Sequence, residues 1–173
     1  MEFRSAKLKI DRAREQIREI ESFVEDNPPY SYCLETNITT SQRATFAKKN
    51  DNALDTVVIR CGEVLHNLRS AIDHAYWDAV SPCIEDASKH GAIQFPFAKD
   101  GSKLESAIKS RLAHKVSNNF YLAIESIKPF AGEGGNKIFN LVHEINIVDK
   151  HKFPTPVGDF TRISSSKISS QIP

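Results

Sequence analysis

Residues Asp51–Val80, DNALDTVVIRCGEVLHNLRSAIDHAYWDAV, run without a proline and with one glycine, Gly62. On a helical wheel Leu54, Val57, Cys61, Val64, Leu65, Leu68, Ile72, Ala75 and Ala79 fill a single arc, which predicts a long amphipathic helix with one buried face. Asp51-Asn52 offers an N-cap and Ser81-Pro82 a stop. A helix of this length must lay its apolar face on others, so the stretch decides for a helical bundle.

Upstream, Phe3, Ala6, Ile10, Ala13, Ile17, Ile20 and Val24 recur in alternating steps of three and four, with Lys, Arg and Glu between them. This heptad stripe predicts a helix of roughly 35 Å, packed on a long helix of its own chain or of a second copy. Asn27-Pro28-Pro29 ends it. Tyr30, Tyr32 and Leu34 then alternate with Ser31, Cys33 and Glu35, the period of a strand, and Arg43 to Lys48 is the return strand after a polar turn at Asn37–Ser41.

Downstream of the second helix, Cys83–Asp100 reads as a loop pinned to the core by Phe95-Pro96-Phe97. Ser102-Lys103-Leu104-Glu105 has the form of a capping box, opening a helix with Leu104, Ile108 and Leu112 inward. A short helix after Ser117-Asn118 carries Phe120, Ala123, Ile124 and Ile127, and Pro129 with Gly132, Gly134 and Gly135 breaks it. The last helix spans 136–151, with Ile138, Leu141, Val142, Ile145 and Val148 as its core arc, and Phe153-Pro154 ends it. The expectation is a mainly α protein: a bundle of long helices with a small β-hairpin after the first. The first, second and last helices supply the core of a single domain over 1–156, and 157–173 forms a strand or loose tail.

The 173 residues suit one domain, and 40% apolar with 26% charged residues is an ordinary globular balance. A net charge of +1 leaves no broad basic field, so any polyanion site must be local. Cys33, Cys61 and Cys83 form neither a CxxC pair nor a zinc spacing, which points to a reducing compartment. The alternating charges of the N-terminus do not form a secretory signal, and no stretch reaches the ~20 apolar residues of a membrane span. A cytoplasmic protein without membrane association or cofactor is expected.

The polar arc of the second helix holds Glu63, His66, Asn67, Ser70, Asp73, His74, Trp77 and Asp78, and no lysine occurs from Asp51 to Ser88. A solvated face is normally rich in lysine, so this arc reads as a partly buried polar site. The last helix shows a similar side in Asn136, Asn140, His143, Glu144 and His151. The two are expected to face each other, with Glu63, His66, Asn67, Ser70, Asp73 and His74 opposite His143 or His151. Asp149 falls within the apolar arc and needs a partner, for which Arg69 is the candidate through a two-pronged guanidinium contact.

Three ordered segments, GEVLHNLRSAIDH at Gly62–His74, Gln94-Phe95-Pro96, and NIVDKH at Asn146–His151, resemble a family of uncharacterised bacterial proteins over about Tyr30–Phe153. That resemblance carries no settled activity. Arg69 and His74, with four residues between them, also resemble the helical signature of HEPN domains. This second resemblance implies metal-independent RNA cleavage, with His74 as general acid or base at the 2′-hydroxyl and Arg69 stabilising the phosphorane. The chain departs from the pattern at Ser70, where Asn, Asp or His is common. Five helical steps also turn Arg69 and His74 about 140° apart, so the pair would have to converge across a two-fold axis. A metal-binding bundle is a third reading, from the i, i+3 spacing of Glu63 and His66 with His74, His143, Glu144 and His151 nearby. It lacks the second Glu-x-x-His, because Ile147 stands three residues after Glu144. Against these stands a non-enzymatic binding or structural module whose polar residues are bonded between helices.

Overall fold

A computed structural model describes residues 3–151, with side chains through Val148. Helix α1 spans Arg4–Asp26, strands β1 and β2 span Tyr30–Thr36 and Arg43–Lys49, and helix α2 spans Asp51–Val80. After three short 3-10 turns come α3 (Leu104–Ser110), α4 (Asn118–Ile127) and α5 (Lys137–His151). The bundle with a hairpin after its first helix is therefore as expected, while residues 152–173, including the tail set apart above, lie outside the described part.

Helices α1 and α2 lie antiparallel, as cross-helix bonds from Ser5 to His74 and from Gln16 to Glu63 require. Their contact is close because α1 presents small side chains, Ala6 and Ala13, both buried. Asn50, one residue before the expected cap, starts α2 by accepting a hydrogen bond from the Ala53 N–H at 3.2 Å. The hairpin joining the two helices pairs Tyr30 with Lys49 through Thr36 with Arg43. In its turn the Asn37 side chain accepts the N–H groups of Thr39 and Thr40. Apart from Tyr30, both strands are exposed along their whole length.

The stripes are buried in part, at Ala6 and Ala13 of α1 and at Leu54, Val64 and Ala79 of α2, but the main cluster of the core lies beyond them. It gathers around the C-terminal end of α2, where Tyr76 and Val80 meet Ile84, Ile93 and Phe95 of the following segment, Leu104 and Ile108 of α3, and Ile124 of α4. Helix α1 adds nothing to this cluster, since its alanines fill little volume. The Tyr76 hydroxyl donates to the Arg111 carbonyl at 2.8 Å, which satisfies a phenol whose burial raises its pKa. Cys61, placed in the core arc by its spacing, is exposed.

Two further expectations are corrected. Ser102 does not cap a helix: Asp100 does the capping, accepting from the Lys103 N–H, and α3 starts two residues later than Ser102. Helix α3 stops at Ser110 because Leu112 turns left-handed, with φ 68°. In α5 the inward face is rotated. Phe139, His143 and Asn146 turn inward, while Ile138, Leu141 and Val148 are exposed. Phe139 and His143 lie one turn apart and meet Phe95 and Phe97, at 5.7 and 4.1 Å between ring centroids. Aromatic area outweighs the aliphatic arc in setting the helix's rotation.

Candidate functional site

Arg69 and Asp73 stand one turn apart on α2, on the side facing the Phe95–Phe97 segment and α5. The guanidinium of Arg69 pairs with the Asp73 carboxylate, whose other oxygen accepts the Phe95 N–H at 3.0 Å. Above the pair, Arg69 Cζ lies 4.5 Å from the centroid of the Phe97 ring. The Phe97 ring also stacks on the His143 imidazole, with 4.1 Å between centroids and planes only 4° apart. Arg69, Phe97 and His143 thus form a column joining α2, the loop and α5. A desolvated cation over an aromatic face contributes about 2 kcal/mol, which makes this column a fastening of the fold.

His143 Nδ1 is buried without a hydrogen-bond partner among the described residues. Burial is the main cause that pushes its pKa below the usual histidine value, and the charge of Arg69 adds to it, against Asp73 and Glu144. A depressed folded pKa means that the unfolded chain binds the proton more readily. The stability contributed by neutral His143 is therefore complete above about pH 6.5 and falls as the pH drops through the folded pKa. Thermal melts between about pH 5 and 8 should show this decline in the wild type and a weaker one in His143→Phe. Asn146, one turn on, is 4% exposed, and its Oδ1 has no partner among the described residues.

A second polar group lies between α2 and α1. The Gln16 side chain donates to Glu63 Oε2 at 3.1 Å and accepts from Asn67 Nδ2 at 2.8 Å. Asn67 Oδ1 accepts from Lys9 Nζ at 3.0 Å, and His74 Nδ1 lies 2.6 Å from the Ser5 hydroxyl. Lysine, absent from α2, is thus supplied by α1. His66 is exposed and Ser70 is partly buried.

The predicted constellation is therefore divided. Asp73 and His143 meet beside Arg69, whereas Glu63, Asn67 and His74 face α1 instead of α5. These positions span about a third of the helix circumference, and its two edges meet different neighbours, Glu63, Asn67 and His74 meeting α1 and Asp73 the loop. Among the described residues Arg69 pairs with Asp73; the expected contact with Asp149 and the position of the His151 side chain lie outside the described residues. Among the described residues no three His, Cys, Asp or Glu side chains gather as a metal site, and Glu63 binds Gln16. Several site residues escaped the sequence reading: Ser5, Lys9 and Gln16 of α1, Phe97 of the loop and Asn146 of α5. Gln16 lies just outside the arc of the α1 stripe, one turn from Ala13, and is 5% exposed, so its place at that edge was the available signal. The role of Asn146 depends on the rotation of α5, which no local pattern indicated.

Among the described residues, no helix is long and apolar enough to cross a membrane. No protein-family model, curated protein or solved structure matches this chain.

Proposed function

We propose that this protein is a non-enzymatic helical binding module, in which the polar residues of α2 fasten neighbouring elements instead of performing a reaction. The observation that carries this reading is the separation of Arg69 from His74. Arg69 is held under Phe97 by Asp73, and His74 turns to Ser5 on the other helix. A guanidinium whose charge is already met by a carboxylate and whose face is covered by a ring has little left to offer a phosphorane. Exposed Tyr32 and Leu34, two residues apart on one face of the hairpin, support a binding role, since neighbouring apolar side chains left in water mark contact surfaces; Phe46, opposite Cys33, is exposed on the other face.

The test is to incubate purified wild type, Arg69→Ala and His74→Ala with structured and single-stranded RNA, with and without a chelator. No cleavage above background is expected from any of the three. Metal-independent cleavage by the wild type that falls by roughly 10²-fold in His74→Ala would instead establish the HEPN-like endoribonuclease.

A further inference from the structure

Helix α1 offers one face to α2 and, among the described residues, leaves a second apolar ridge uncovered. Ala6, Ala13 and Gln16 are buried against α2, whereas Ile10 and Ile17 are 37% and 42% exposed. With Phe3 and Val24, these isoleucines recur every seventh residue, about a quarter turn from the α2 contact. Because α1 and α2 are antiparallel, their wheels advance in opposite senses. The ridge therefore opens on the same side of the pair as Cys61, Leu65, Leu68 and Ile72 of α2.

The charges of α1 are segregated along its length. Residues 4–14 hold five Lys or Arg and one Asp, net +4; residues 15–26 hold five Asp or Glu and one Arg, net −4. This order opposes the helix macrodipole, which favours acids in the first turn and bases in the last, and α1 has neither there. Isolated helix stability therefore does not explain it. Nor does α2: the half beside the acidic end of α1, residues 51–65, carries three acids and one Arg, net −2. Among the described residues, Arg4, Lys7, Glu21 and Glu25 have no ion-pair partner, while Arg12 and Arg14 are engaged within the helix.

We infer that a second copy of this chain covers the ridge, its α1 antiparallel to the first across a two-fold axis. The ridge is self-complementary in that arrangement: Ile10 meets Ile17 of the other copy, and Phe3 meets Val24. In that register Lys7 comes within one residue of the level of Glu21, and Arg4 and Asp11 within two of Glu25 and Arg18, offsets of about 1.5 and 3 Å that long side chains span. The +4 half of each helix then lies along the −4 half of its mate, and the two macrodipoles oppose. Arg14 falls near the axis, where Asp11 of its own chain already holds it at 3.3 Å.

Two variants test this, Arg4→Glu/Lys7→Glu and Glu21→Lys/Glu25→Lys, each studied by sedimentation velocity alone and as an equimolar mixture. Both sets of substitutions are on exposed positions and improve agreement with the macrodipole, so folding is preserved. The wild type is expected at twice the 19.4 kDa chain mass. Each variant alone should dissociate at least ~10-fold more readily, because like charges then face each other. Mixing should restore a heterodimer, in which every reversed charge meets its opposite. A wild type that is monomeric up to about 100 μM would overturn the inference. Variants that dimerise like the wild type, or a mixture that stays monomeric, would overturn it equally.

Discussion

Arg69→Ala should lower the stability of the folded chain by about 2–3 kcal/mol, seen as a melting temperature about 5–10 °C lower. Removing one member of a fully buried ion pair costs about 3–5 kcal/mol, because the other charge is left uncompensated. Here the Arg69 side chain is 12% exposed but Asp73 is 32% exposed and keeps the Phe95 N–H, so water and one hydrogen bond soften the loss. The contact with the Phe97 ring disappears as well, leaving Phe97 with its stack on His143. His74→Ala should stay close to the wild type in the same melts, since it removes one hydrogen bond at the α1 surface, a loss of about 1 kcal/mol. A melt in which the two variants rank the other way would contradict the assignment of Arg69 as the fastening residue.

A larger loss is expected from Ile108→Ala. Ile108 is wholly buried between the end of α2 and helix α4, and truncating it leaves a cavity that a helix of seven residues, held at both ends by turns, cannot close by moving inward. The cost is about 3–4 kcal/mol, within the range of buried Ile-to-Ala changes. Urea unfolding should show it as a lower midpoint at unchanged slope. The contrasting substitution, Ile38→Ala in the hairpin turn, removes a side chain that is 95% exposed and should change stability by less than about 0.5 kcal/mol. Equal losses at the two positions would show that the core is not where Tyr76, Val80 and Ile108 converge.

The long elements were legible because their signals are local. The heptad of α1 before Asn27-Pro28-Pro29, the period-two run from Tyr30, and the proline-free stretch to Val80 each state their structure within a few turns of chain. What could not be read was rotation about the helix axis. For α5 two arcs compete, one aliphatic with Ile138, Leu141 and Val148, the other aromatic and polar with Phe139, His143 and Asn146. Only the position of Phe95 and Phe97, more than forty residues away, selects the second. The same limit divided the candidate site. A polar arc on α2 was visible, but the wheel does not say that Glu63 and Asn67 find Gln16 while Asp73 finds the loop. The capping box at Ser102 failed for a local reason, since the Ser102 hydroxyl donates to Asp100, which also accepts the Lys103 N–H and opens a 3-10 turn ahead of α3.

The most direct test of the claim that α2's polar residues fasten the fold is a double-mutant cycle on Arg69 and Asp73. Unfolding free energies would be measured for Arg69→Ala, Asp73→Ala, the double variant and the wild type. Coupling of about 1–3 kcal/mol between the two substitutions is predicted, with the double variant little worse than Arg69→Ala alone. Additivity within about 0.5 kcal/mol would contradict it, by showing that the two side chains act independently.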